Sequence, residues 1–294
     1  MRFSFRHLEI FTAVAHEGTL SGAAAALAMS QSAASTALIE LERRYDRPLF
    51  DRAGKRLRIN ETGRSLLAPA LELLSRAAEI DAILAGRAGP GPVRLGATQT
   101  IGNYVAPRLI ERYAQQHPGC SLSLEIDNTS RIAGKVADFS LDLALVEGEY
   151  AHPDILATDW LSDELVLLCS PSHRLARRGA CAIEELLGER WVVREKGSGT
   201  RNTLDRAMQP YWSRWAIEFE LQQIEAILEM VAVSSLIGCV SRLAVRRELE
   251  QGRLAMLDVP EIDLSRRFYI MSHREKHVTA GMRAFLDIAA AATR

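Results

Sequence analysis

The apolar positions of this chain change their period near residue 90. Before it they recur at helical spacing; after it, short apolar runs of strand length alternate with amphipathic stretches. Phe5, Leu8, Phe11 and Val14/Ala15 fall on one helical face, and Gly18 ends that helix. A short alanine-rich helix follows, with Ser21 as its expected N-cap and Ala23, Ala24 and Leu27 as its packing face. Ser30 is the next expected cap. The helix over 31–45 carries an apolar stripe of Ala34, Ala37/Leu38, Leu41 and Tyr45. "RPLFDRAGKRLRINETG" then reads as two short extended pieces around a Gly-Lys-Arg turn, anchored by Leu49 and Phe50.

Residues 63–87 read as one amphipathic helix with Pro69 tolerated early. Its near-heptad stripe is Leu66/Leu67, Ala70/Leu71, Leu74, Ala77/Ala78, Asp81 and Leu84. "GRAGPGPVRLG" breaks the regularity and marks a linker. A long stripe before a linker has little of its own chain to cover it, which favours pairing with a second copy.

From Val93 the pattern alternates. "VRLGAT" is a strand and "TIGNYVAPRLIERYAQQHP" one helix with Pro107 near its first turns. "SLSLEID" is a strand, "TSRIAGKVADFS" a helix and "LDLALVEG" a strand. Such a βαβαβ order predicts a parallel sheet with ligands at the carboxyl ends of its strands. "DELVLLCSPSH" and "WVVRE" are further strands; "RRFYIMS" and "TAGMRAFLDIAAAA" are a late strand and a closing helix. The expectation is two α/β lobes joined by crossing strands.

Composition adds little to the whole and more to its parts. The 294 residues are 48% hydrophobic, with a net charge of −1, so no basic coat for nucleic acid exists overall. Residues 1–60 nevertheless hold nine basic and six acidic side chains. No apolar run approaches the ~20 residues of a membrane span, and the N-terminus does not read as a secretory signal. Cys120, Cys169, Cys181 and Cys239 show no C-x-x-C spacing and are expected as free thiols in a cytoplasmic protein.

Catalytic motifs are missing. "GSGTR" lacks Walker spacing, no serine sits in a G-x-S-x-G elbow, and "GATQTIG" is no dinucleotide fingerprint. His273 and His277 lack the H-E-x-x-H order and a third metal ligand. No cofactor, metal or catalytic residue is therefore expected, and the chain is not expected to be an enzyme.

Binding chemistry is present instead. Near its start, the helix over 31–45 carries Gln31, Ser32, Ser35 and Thr36 opposite its apolar stripe, after Ser30. Short polar side chains let a helix sit deep in a major groove, and Gln can bond adenine bidentately. Arg52, Lys55 and Arg56 lie at the turn, where a wing would meet backbone or minor groove. Helix, short helix, helix and basic wing make a winged helix-turn-helix.

The stretch from Leu8 to Gly63 resembles the DNA-binding domain of the LysR-type transcriptional regulators. The shared marks are Phe11, Gly18, Ala23-Ala24, Leu27, Ser30-Gln31, Ser35, Leu41-Glu42, Leu49-Phe50, Arg52 and Thr62-Gly63. The resemblance implies base contacts from Gln31 and Ser35 and a minor-groove contact from Arg52. One departure is Ser32, where the family usually has Pro. It also implies a linker helix that pairs two DNA-binding domains, a periplasmic-binding-protein-like effector domain, and assembly as a homodimer or homotetramer.

Three hydroxyl-rich corners sit where strands meet helices: Thr98 and Thr100, flanked by Gln99 and Ile101; Thr129; and Ser198, Gly199 and Thr200. N-capping explains any one of them; their repetition favours a cleft between the lobes that holds a small anion. The resemblance carries effector contacts to Thr98 and Thr100, and by extension to Ser198 and Thr200. Glu147, at the end of the third strand, would repel an anion unless it turns away or meets a cation; Arg194, Lys196 and Arg201 are the cations in view.

The expected organisation is a winged helix-turn-helix at 1–60, a linker/dimerisation helix at 61–88 and an effector domain at 89–294. Lobe I would take about 91–161 and 267–294, lobe II about 162–266. The expected protein is a cytoplasmic, effector-modulated transcriptional regulator. Its partners would be a double-stranded DNA operator, a small-molecule effector and RNA polymerase, with no membrane. "TIGNYVAPRLI", "IDNTSRIAGKVADFSLDLALVEG" and "WVVREKGSGTR" resemble the branches that govern sulfur assimilation and carbon fixation; the first implies a small sulfur oxyanion, the second a metabolite phosphate or nicotinamide compound, and the small hydroxyls and N–H groups favour the oxyanion. The alternatives are a solute-binding protein, or an enzyme with an appended DNA-binding module.

Overall fold

The computed structural model describes residues 2–54, 56–85, 89–148, 150–178 and 180–292. Its first unit packs α1 (Phe5–Glu17), α2 (Leu20–Ala26) and α3 (Gln31–Tyr45) against a hairpin of β1 (Phe50–Ala53) and β2 (Arg56–Ile59). Leu8, Phe11, Val14, Ala23, Ala24, Ala34, Leu38 and Leu41 form its core with Leu49 and Phe50. Ile10 is fully buried as well, although it lies off the predicted face, whereas Phe5 is 54% exposed. The cap of α2 is Thr19, not Ser21: the Thr19 hydroxyl accepts from the Gly22 N–H at 3.1 Å. Ser30 does cap α3, accepting from the Ala33 N–H. The start of that helix is therefore fixed without proline at position 32.

Two residues between the helices and the strands are explained by contact. The Glu42 carboxylate accepts from the Leu49 N–H at 2.7 Å, so α3 holds the start of the hairpin. At Gly63 an added Cβ would lie 2.4 Å from the Leu49 carbonyl oxygen, so only glycine fits.

Helix α4 (Glu61–Leu84) runs through Pro69 without a break. Ala70 is buried, and Leu66, Leu67 and Leu74 pack against the core of the first unit. That part of the stripe is thus covered by its own domain. Further along, Ile80 and Leu84 are exposed. The end of the predicted linker, 86–88, lies outside the described residues.

Among the described residues, the remainder forms one continuous nine-stranded sheet in two halves. In the first half β3 (Val93–Thr98) pairs in parallel with β4 (Leu122–Asp127) and β5 (Leu143–Glu147). β11 (Ser265–His273) runs antiparallel to β5 and to β6 (Ile155–Cys169). The sheet is therefore mixed, not purely parallel, because the late strand returns from the second half. Strand β6 continues through fifteen residues into the second half. There it meets β9 (Ile237–Ser241), which is followed in sheet order by β7 (Arg190–Arg194) and β8 (Ala216–Leu221); β10 (Ala255–Leu257) pairs its other side.

The long predicted helix after β3 is two helices, α5 (Gln99–Tyr104) and α6 (Ala106–Gln116). Pro107 sits in the first turn of α6; it lacks an N–H and its ring would clash with the carbonyl four residues back, so the chain turns at Val105. Helices α7 (Thr129–Ala137), α8 (Ile183–Leu187), α9 (Gly199–Met208), α10 (Ile224–Ala232), α11 (Arg242–Glu250) and α12 (Ala280–Ala291) complete the layers. The Trp160 indole N–H donates to the Ala289 carbonyl at 2.9 Å and ties α12 to β6.

Candidate effector site and nucleic-acid face

The carboxyl ends of β3, β5 and β7 and the starts of α5, α7 and α9 converge where the two halves of the sheet meet. Thr98, Gln99, Thr100, Ile101, Thr129, Glu147, Ser198 and Thr200 are all buried there. Gly199 is buried too, and a Cβ on it would lie 2.0 Å from the Glu147 carbonyl oxygen. The start of α9 thus presses on the end of β5, which only glycine permits.

Capping accounts for little of this hydroxyl content. Helix α7 is capped by Asn128, whose side chain accepts from the Arg131 N–H at 3.0 Å. Thr98 and Ser198 occupy N-cap positions but make no side-chain cap bond. Among the described residues the Thr98 hydroxyl is buried without a partner, as is Oε1 of Gln99. A buried polar atom without a partner carries a desolvation cost of about 1–3 kcal/mol.

Glu147 occupies the centre. One carboxylate oxygen accepts from the Thr100 N–H at 2.7 Å, the other from the Thr200 hydroxyl at 3.2 Å. Arg266 donates to that second oxygen at 2.8 Å, and it also reaches the hydroxyls of Thr200 (3.0 Å) and Thr100 (3.3 Å). Its other face pairs with Asp163 at 2.6 Å, whose second oxygen accepts from the Ser241 hydroxyl. Burial alone would raise the Glu147 carboxyl. Arg266, the Thr100 hydroxyl, Arg194 and the Thr100 N–H outweigh it and hold the carboxyl below the usual range.

The cation that meets Glu147 is therefore one the sequence reading missed. Arg194 is engaged chiefly by Glu195, Arg201 by Asp205 and Glu220, and Lys196 is exposed. Arg266 lies 119 residues from Glu147 in sequence. The one available signal was an arginine opening a late strand that crosses both lobes.

Direct contacts join the lobes beside this pair. The Ser130 N–H donates to the Gly197 carbonyl at 3.2 Å, and the Asn128 amide donates to Glu195 at 3.2 Å. The stretch "GSGT" is thus one wall of a closed junction. An internal carboxylate fills a cradle made of an N–H, two hydroxyls and a guanidinium, a donor set suited to any small oxyanion.

A second surface lies on the N-terminal unit. Ser30, Gln31, Ser32 and Thr36 are exposed at the start of α3, with Ser35 half-buried beside them. Arg52 and Arg56 are exposed on the β1–β2 hairpin; Lys55 lies outside the described residues. The Leu57 N–H donates to the Gly18 carbonyl at 2.9 Å, which pins the hairpin to the helices. Among the described residues no three His, Cys, Asp or Glu side chains group to hold a metal, and no helix is long and apolar enough to cross a membrane.

Comparison with known proteins places both units of the chain. Residues 5–64 match the bacterial regulatory helix-turn-helix protein model of the lysR family, and residues 86–294 match the LysR substrate binding domain. The transcriptional regulator YeiE of Escherichia coli, itself uncharacterised, is 38% identical over 98% of this chain and 97% of its own. The RuBisCO operon transcriptional regulator of Allochromatium vinosum is 30% identical over 98% of this chain and 95% of its own. Among solved structures, the regulatory domain of Synechocystis CcmR in complex with 2-PG superposes with a TM-score of 0.65 at 28% identity, covering 69% of this chain and 98% of that one. Members of this family are regulators rather than enzymes, and they bind DNA and small effectors and oligomerise. With a DNA-binding model matched at one end and an effector-domain model over most of the remainder, the chain belongs to the LysR family of transcriptional regulators.

Proposed function

We propose that this regulator senses a small oxyanion, sulfite or sulfate, at the junction between its lobes. The observation that carries the reading is the ligation of Glu147. A buried carboxylate bound by the Thr100 N–H, the Thr200 hydroxyl and Arg266 marks a position built for an anion. An incoming oxyanion would take these donors and the unpartnered Thr98 hydroxyl, and would turn the Glu147 carboxylate out. The lobes would then re-pack, and a ligand that favours one packing shifts the population toward it.

In this reading Ser30, Gln31, Ser32, Ser35 and Thr36 face the major groove of an operator, while Arg52, Lys55 and Arg56 touch backbone or minor groove. Two copies pair through α4 and pairs assemble into a tetramer, so a change in lobe packing alters the spacing of DNA-binding units and their contact with RNA polymerase. The site of action is the cytoplasm, where operator and polymerase are found.

The test is melting temperature against sulfite, sulfate, phosphate, 2-PG and acetate, with Thr100→Val and Thr200→Val alongside. A ligand at about a hundred times its Kd stabilises by roughly 2.7 kcal/mol. A rise with sulfite or sulfate that both variants abolish supports the reading. A rise with 2-PG alone, or a sulfite response that survives both variants, overturns it.

A further inference from the structure

We propose a ligand site for a compact amphipathic monoanion, a branched or cyclic carboxylate, in the cavity between the linker helix α4 and the effector domain. The cavity has a volume of about 230 Å³. Pockets for drug-sized ligands run to roughly 300–1,000 Å³, so only a small molecule fits. This place is not the lobe junction. Arg94 stands near the amino end of β3 and Asp142 just before β5, whereas Thr98 and Glu147 close the other ends of those strands. The run of strand from Asp142 to Glu147 sets the two places on the order of 16 Å apart.

One wall of the cavity is apolar. Leu71, Leu74 and Ala78 recur at helical spacing on α4, and Pro90 and Pro92 join them from the segment before β3. The opposite wall is a charged cluster. One oxygen of Asp142 accepts from Lys276 at 2.7 Å and from the Arg94 guanidinium at 2.8 Å; the other accepts from the Arg94 N–H at 2.7 Å. Arg94 also donates to the Phe139 carbonyl at 3.0 Å, and the Lys276 ammonium lies 5.7 Å from the centre of the Phe139 ring. Phe139 has a φ of 62°, a left-handed conformation that a bulky residue keeps only where its surroundings hold it. The polar wall is thus set before any ligand arrives.

The charge of that wall does not balance. Among the described residues Asp142 is the one carboxylate lining the cavity, against two cations. Glu72 and Glu275 line an adjoining recess instead, where Glu72 faces His277 at 3.6 Å. Burial lowers the Lys276 ammonium; Asp142 offsets this only in part, and Arg94 lowers it again. An anionic head beside Lys276 supplies the missing charge, and an aliphatic body covers Leu71, Leu74 and Ala78. Such a ligand touches both α4 and the effector domain and holds the linker helix against its own chain, independently of any anion at Glu147.

Isothermal titration of the full-length protein with cyclohexanecarboxylate tests this, with acetate and cyclohexylmethanol as the head and the body alone. The variants are Lys276→Gln, Ala78→Phe and Thr200→Val. Lys276→Gln leaves Asp142 its Arg94 partner, and Ala78 is exposed, so both replacements spare the core. The expected result is that cyclohexanecarboxylate binds at millimolar concentration or below, and each fragment at least about tenfold more weakly. Lys276→Gln weakens binding about tenfold, the loss of a charge-assisted contact. Ala78→Phe fills the cavity and abolishes binding. Thr200→Val, which alters the Glu147 junction, leaves it unchanged. The proposal is overturned if the carboxylate does not bind, or if cyclohexylmethanol binds equally well. It is equally overturned if Lys276→Gln or Ala78→Phe changes affinity by less than about twofold, or if Thr200→Val removes the binding.

Discussion

Glu147 and Arg266 meet at 2.8 Å with both side chains 1% exposed, at the point where the two halves of the effector domain join. Arg266 serves Asp163 as well, so two buried carboxylates share one guanidinium. The consequences of removing either partner are unequal. Arg266→Met leaves Glu147 and Asp163 facing each other without a cation, and breaking a buried pair in this way costs about 3–5 kcal/mol. Glu147→Gln leaves Arg266 balanced by Asp163 and keeps an amide oxygen for the Thr100 N–H, so its cost is expected below about 2 kcal/mol. Urea denaturation of both variants checks the order; equal losses would contradict it.

Acid should loosen this junction. The Glu147 carboxyl, near 4.5 when unfolded, is held lower in the folded protein by Arg266 and Thr100 against the cost of burial. The folded state therefore binds this proton less readily than the unfolded chain. The stability it contributes is fully present above about 4.5 and drains as pH falls through the lower folded value. Asp142, buried beside Arg94 and Lys276, is lowered from an unfolded value of 3.8, so its contribution drains only below that, further down in pH. Melting temperature measured from neutral pH downward should fall more steeply below that point in wild type than in Glu147→Gln. The variant keeps a smaller slope from Asp142.

If the Glu147 carboxylate is the cradle's internal occupant, neutralising it should help an external anion. Glu147→Gln removes both the repulsion and the competitor, so sulfite affinity is expected to rise about tenfold, a modest 1.4 kcal/mol. Thr100→Val, which deletes a donor hydroxyl, should lower it. Titration calorimetry on both variants distinguishes this from a ligand that needs the Glu147 charge, for which Glu147→Gln would weaken binding.

At the DNA face, the two kinds of contact should differ in their signature. Gln31→Ala is expected to cost about 1–3 kcal/mol on the preferred operator and to relax base preference, because the loss falls on base edges. Arg56→Ala should weaken binding to all duplexes alike and reduce the salt slope by about one unit. Binding isotherms at several salt concentrations, on operator and on scrambled DNA, give both quantities.

Much of the first unit was legible because its signals are local. Ser30 as a cap, Gly18 as a stop and the Leu8-Phe11-Val14 face each act within a turn or two of helix. Ser21 was misread because Thr19, two residues earlier, is equally able to cap, and nothing in the spacing ranks them. The split at Val105 was hidden for a related reason: Pro107 fits either an early position within one helix or the first turn of a new one, and the spacing alone does not tell which. At the cleft, the strand ends named Thr98, Thr100, Thr129, Ser198 and Thr200 because topology brings such corners together. Arg266 was not legible. Its partner is chosen by sheet order, which places β11 between β5 and β6, and no short-range pattern encodes that order.

Pairing of two chains is the remaining expectation, and the surface of α4 gives it a handle. An apolar groove of about 300 Å³ lies between α4 and the helices of the first unit, lined in part by Leu8, Leu41, Leu66 and Leu73. Leu73 is 44% exposed there, and Ile80 continues the apolar surface at 58%. Leu73→Glu places a charge where a second linker helix would bury a methyl cluster, and it leaves the core of its own unit untouched. The expected outcome is a shift toward monomer in sedimentation velocity, with operator affinity reduced because two half-sites no longer bind as a unit. Unchanged assembly in Leu73→Glu would move the pairing surface away from this groove, toward the effector domain alone.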